Sequence, residues 1–176
     1  MAVQTSYGYA TQKGIPGGIY DLYHYPVDSR FNEEDSGKLR FGVGVVKGSI
    51  PGSNVVLPTS ASTAADFEGV TVNGFNQQHD LEGKVSINKN QNIGVMRHGR
   101  IWVRLAASQT PAYGDTLHLI VSGDDAGCFA TEGGVEIAGR FIGGESNGCA
   151  PVELYGTDTA AATTTGDDDK DPSQGG

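Results

Sequence analysis

The apolar residues of this chain recur mostly at every second position and in short runs. In LRFGVGVV (39–46), Leu39, Phe41, Val43 and Val45 alternate with smaller or polar residues, the pattern of a half-buried strand. RIWVRL (100–105) places Ile101, Val103 and Leu105 on one face and Arg100, Trp102 and Arg104 on the other. TLHLIV (116–121) matches it, with Leu117, Leu119 and Val121 opposed to Thr116, His118 and Ile120. The link ASQTPAYGD carries the turn residues Pro111 and Gly114, so the two segments read as a long-looped hairpin. NVVLP, GVTVN, KVSIN, VEIAGRFIG and PVELY are further short strands, separated by turn signals such as Asn73-Gly74 and Asn147-Gly148. STAADFE (62–68) alone has the makings of a helical turn. Many short strands at this spacing predict an all-β fold, a single compact β-sandwich or β-barrel domain over residues 28–156. A charged loop, DSRFNEEDSGK (28–38), opens it.

Two segments break the pattern. Residues 1–27 hold five of the seven tyrosines, Tyr7, Tyr9, Tyr20, Tyr23 and Tyr25, and only Lys13 and Asp21 are charged. GIPGG at 14–18 rules out one continuous helix, which leaves an extended N-terminal arm or edge strands. The tyrosines can cover the protein's own sheet or form a partner interface, since Tyr combines large apolar area with a hydroxyl that is easily satisfied. After Tyr155 no aromatic or large aliphatic residue follows, so residues 157–176 are expected to form a disordered acidic tail.

Composition then removes several function classes. Glycine, at 27 of 176 residues, is about twice its ordinary share of roughly 7%, which favours turns between short strands over helices. Net charge is −9, with 12 basic and 21 acidic residues, and the basic ones are scattered, so nucleic acid is not an expected partner. No run approaches about 18 apolar residues, so no membrane association is expected, and MAVQTSYGYATQ lacks the basic cluster and apolar stretch of a secretory signal. The expectation is a protein made and kept in a cytosol. Cys128 and Cys149 have no metal-type spacing and read as free thiols.

Catalytic chemistry is not visible in the chain. There is no GxSxG elbow, P-loop or HExxH, and the four histidines, His24, His79, His98 and His118, fall in separate segments. Asp124-Asp125 lacks the ligand count of a Ca²⁺ loop and reads as a solvated turn. The expectation is no enzyme, with no catalytic residues, cofactor or metal. A hydrolase built around the 97–121 stretch is the weaker rival reading.

Residues 1–27 together with RFGVGVVKG (40–48), STAADFEGVTVNG (62–74), GVMRHGRIWVRL (94–105), TPAYGD (110–115), AGRFIGG (138–144) and APVELYG (150–156) resemble the structural cement, or head decoration, proteins of tailed bacteriophages. The resemblance covers nearly all of residues 1–156 and excludes the acidic tail. It implies a virion protein, made in a bacterial host, that binds the outside of an icosahedral head and stabilises contacts between capsomers of a HK97-fold major capsid protein. It also implies a homo-oligomer, a trimer or dimer. The alternative is a carbohydrate-binding β-sandwich displayed on the virion, with Trp102 and exposed tyrosines as its stacking platform.

Overall fold

Residues 14–21, 26–74 and 86–156 are described by the computed structural model, and they are all-β apart from one 3-10 turn at Ala64–Asp66. The strands are β1 (Val27–Asn32), β2 (Gly44–Lys47), β3 (Asn54–Val56), β4 (Phe67–Thr71), β5 (Asn92–Met96), β6 (His98–Arg104), β7 (Thr116–Leu119), β8 (Phe129–Ala130), β9 (Val135–Phe141) and β10 (Cys149–Tyr155). The first five close a barrel in the order β1-β3-β2-β4-β5, with β5 returning to β1. The other five form a sheet in the order β6-β10-β9-β7-β8. A parallel bridge from Leu105 to Phe129 brings β8 back beside the end of β6, so this sheet curls nearly shut.

Strand alternation explains why there are two cores. Val45, Val55, Ile93 and Val95 point into the barrel, while Val70 and Met96, one position out of phase on the same wall, point away from it. Those outward residues meet Ile101, Leu117, Phe129, Phe141 and Val152 of the second sheet. Each large side chain buried there removes apolar surface worth about 1.5–3 kcal/mol. Gly44 is what lets the two layers touch: a Cβ on it would lie 2.5 Å from Leu119 Cδ1 and 3.0 Å from Phe129 Cζ. Inside the barrel the buried Thr71 hydroxyl donates to Arg40 O (2.8 Å) and accepts from Val43 N–H (3.1 Å), which satisfies two backbone groups that no ladder reaches.

Several expectations from the sequence give way. The 28–38 stretch is not wholly a loop, because β1 occupies its first half. Its polarity is inverted: Asp28 and Arg30 sit across from the core residues Val95 and Ile93, and Arg30 Nη2 reaches Asp28 at 3.0 Å and Glu68 at 3.7 Å. A charge pair fills what would normally be apolar positions, so hydrophobic periodicity could not find the strand. β6 and β7 do not form a hairpin, since β10 and β9 lie between them. Alternation says which side chains face inward, and it holds for Ile101, Val103, Leu117 and Leu119, but it does not choose the neighbour. In LRFGVGVV only Gly44 onward is strand; Gly42, at φ 74°, turns the chain, although Leu39 and Val43 are buried as the pattern requires. Of KVSIN, residues 86–88 are described and are not strand, yet Ile87 still plugs the barrel.

Part of the N-terminal arm is an edge strand. Gly17 N–H donates to Trp102 O (2.8 Å), Trp102 N–H to Gly18 O (2.9 Å) and Tyr20 N–H to Arg100 O (2.9 Å), which lays residues 17–20 antiparallel along β6. Asn73 N–H also donates to Gly17 O (2.8 Å), so this strap joins the second sheet to the end of β4. Only glycine fits at 17: its φ is +74°, and a Cβ would sit 2.7 Å from Thr71 O and Asn73 N. Residues 1–13, 22–25 and 157–176 lie outside the described residues, so the tail and most of the arm are not assessed by these contacts.

Candidate functional site

With β1–β5 closed on themselves and the strap covering β6, the described sheets offer little open edge, and a partner must approach a face. The outer face of the second sheet carries a row of charge set by strand register. Glu153 of β10 is paired across with Arg100 of β6 on one side and Arg140 of β9 on the other. Arg100 Nε donates to Glu153 Oε1 (3.0 Å) and Arg140 Nε to Glu153 Oε2 (3.0 Å), each guanidinium adding a second contact through Nη2 at 2.9 and 2.8 Å. Arg100 Nη1 continues to Asp21 Oδ2 at 2.9 Å, tying the strap into the row. The result is an alternating ladder, Asp21–Arg100–Glu153–Arg140.

The ladder's electrostatics follow from this geometry. Partial burial would push the Glu153 carboxyl up, but the hydrogen bonds from Arg100 and Arg140 outweigh it and hold the group below its usual value. Hydrogen bonds to Asp21 and Glu153 keep Arg100 charged, and the bond to Glu153 does the same for Arg140. Arg140 also lies over the Tyr113 ring, 5.5 Å from its centroid. Tyr113 and Tyr155 are both exposed beside the row. Such a face, rigid, aromatic and pre-paired, suits contact with a protein surface more than capture of a small ion, because its charges are already satisfied.

Of the five tyrosines expected to form the interface, Tyr7, Tyr9, Tyr23 and Tyr25 lie outside the described residues. Tyr20 stacks at a tilt on Trp102, with centroids 5.9 Å apart, and remains 42% exposed, so it covers its own sheet with one side and offers the other. Trp102 is itself only 7% exposed beneath the strap, which removes it as a stacking platform. His98 and His118 stand on β6 and β7, about three strand spacings or roughly 14 Å apart, so they do not converge. His24 and His79 lie outside the described residues. Asp125 Oδ2 accepts from Ala107 N–H at 3.1 Å and so braces a turn. Cys128 and Cys149 are free and buried, and burial pushes both thiols up, away from the reactive thiolate. Among the described residues no three or more His, Cys, Asp and Glu gather in a way that could hold a metal.

Reading by sequence missed Arg140 and Glu153, which are 13 residues apart and meet only through β9–β10 pairing. It also passed over Phe31 and Ile50, exposed on the barrel. A lone Phe amid charged residues was the available signal for the first.

Comparison with known proteins agrees with this structural picture. The family model described as structural cement protein (E217 gp24/Pam3 gp6) matches residues 3–166. Among solved structures, a chain from the capsid of Myoviridae phage XM1 superimposes with a TM-score of 0.65 at 13% identity, covering 88% of this chain and 98% of that one. At that identity the likeness is one of fold. No curated protein matches.

Proposed function

The chain belongs to the structural cement proteins of phage capsids, virion components with a capsid-stabilising role, and from that premise we propose how it acts. It attaches to the outer surface of an icosahedral head and clamps neighbouring capsomers of a HK97-fold major capsid protein. It does so as a homo-oligomer, a dimer or trimer, without catalysing a reaction. Many modest contacts across capsomer seams add up through multivalency, so no single tight interface is required. The observation that carries the reading is the extent of the family match, which takes in the arm, the barrel and the second sheet together. The closed edges and the pre-paired ladder support it, since a clamp gains from a rigid face that cannot recruit stray strands. Tyr7, Tyr9, Tyr20, Tyr23 and Tyr25 are proposed to add to the partner interface. The alternative, a carbohydrate-binding sandwich on the virion, loses its central element with Trp102 buried.

Heads lacking the protein should assemble but release DNA at a lower temperature than decorated heads, because a clamp strengthens seams and leaves the capsid fold alone. Equal release temperatures with and without the protein would overturn the reading.

A further inference from the structure

Strand β1 presents Val27, Ser29 and Phe31 outward, and the turn between β2 and β3 adds Ile50 at the same end. Phe31 N–H is bonded to Ser53 O (2.9 Å), and Ile50 O accepts from Asn54 N–H (2.9 Å), so the aromatic ring and the aliphatic tip belong to one local surface. Val27, Phe31 and Ile50 are 39%, 46% and 59% exposed, unusual for large apolar side chains on a protein that buries Val45 and Val55 completely. Their cross-strand neighbours are Gly94, Asn92 and Asn54, and the turn reads Ser-Ile-Pro-Gly-Ser. None of these carries charge. Glu33, the carboxylate by the turn, is directed onto Ser49 N–H at 2.8 Å.

We propose that this β1 face, centred on Phe31 and Ile50, is where a second copy of the chain docks. Charge selects the occupant. Each copy carries a net charge of −9, so two copies repel over most approaches. A contact between identical copies about a two-fold axis brings a surface against itself, so every charged side chain near the axis meets its like. An apolar patch bordered only by Asn, Ser, Gly and Pro avoids that penalty, whereas a patch made for a different partner has no need to be free of charge. The charged ladder on the second sheet is then left for the capsid. This assignment rests on the reading above that the protein works as an oligomer.

The test compares wild-type protein with Phe31→Asp/Ile50→Asp by light scattering over a range of concentrations, with Tyr113→Ser/Tyr155→Ser as a control on the other face. Phe31→Ser/Ile50→Ser guards against a change that perturbs β1, and circular dichroism verifies that each variant is folded. The expected result is an oligomeric wild type, single chains for both Phe31/Ile50 variants, and wild-type mass for the tyrosine control. A monomeric wild type, or folded Phe31/Ile50 variants that keep the wild-type mass, would overturn the proposal. Unchanged mass with lost binding to heads would assign the face to the capsid instead, and also overturns it. Binding of wild-type protein to undecorated heads is scored separately: if copies associate through this face but never bind heads, the face stands and the cement reading fails.

Discussion

Substituting Glu153→Gln isolates the charge at the centre of the ladder, because the amide keeps the shape of the carboxyl. The wild-type carboxylate is 18% exposed and receives two guanidinium groups, whose side chains are 35% and 39% exposed. Buried charge-assisted hydrogen bonds contribute about 1.5–3 kcal/mol each, but arginines this open to water are screened toward about 0.5–1 kcal/mol per pair. The expected loss is therefore about 1–2 kcal/mol, and for a domain of this size the melting midpoint should fall by roughly 2–8 °C at neutral pH. The pH dependence is the sharper part. Glu153 is held below its ordinary value of 4.5, so its contribution is fully present above that pH and is lost as pH falls through the lower value in the folded protein. A protonated carboxyl resembles the amide of Gln, so the two proteins should converge in acid. Differential scanning fluorimetry of both at pH 7, 5, 4 and 3 tests this. Equal midpoints at pH 7, or a gap that stays constant down to pH 3, would refute the reasoning.

Two further outcomes are expected. Thr71→Val strips the hydrogen-bond partner from the buried Val43 N–H and Arg40 O, so stability in urea should drop by about 1–3 kcal/mol with an unchanged slope; a neutral substitution would mean that the barrel interior admits water at this point. Removing residues 2–13, which takes away Tyr7 and Tyr9, should leave a folded domain, since the strap contacts begin only at Gly17, but one that decorates heads poorly; saturation of heads at wild-type affinity would restrict those tyrosines to covering the protein's own surface.

The architecture explains why one chain can clamp without moving. Its two cores share the β4–β5 wall, the strap spans both layers, and the ladder crosses three strands and the strap. A load applied at the outer face is thus passed into backbone hydrogen bonds and packed side chains instead of a hinge. With the seams of a shell under outward pressure, that stiffness is useful, because a soft clamp would stretch before its many weak contacts could share the load.

Local chemistry was enough to establish that this chain is all-β, which residues of β6, β7, β9 and β10 face inward, and that no recognisable catalytic motif is present. Alternation at period two, glycine-rich turns and the scatter of histidines are properties of neighbouring residues, so they are readable in one dimension. The segments shared with the cement proteins could likewise be seen along most of the chain. Pairing was not readable, because inward-facing patterns are interchangeable: nothing in RIWVRL says that its neighbour is PVELY and not TLHLIV. Nor was β1, whose inward positions are filled by a mutually neutralising Asp28 and Arg30 that hydrophobicity cannot register. The ladder and the Phe31–Ile50 face exist only once distant strands are laid side by side, and Trp102 became a buried strut only when the strap closed over it. Long-range backbone pairing brought those groups together, and it depends on the free energy of the whole packed arrangement.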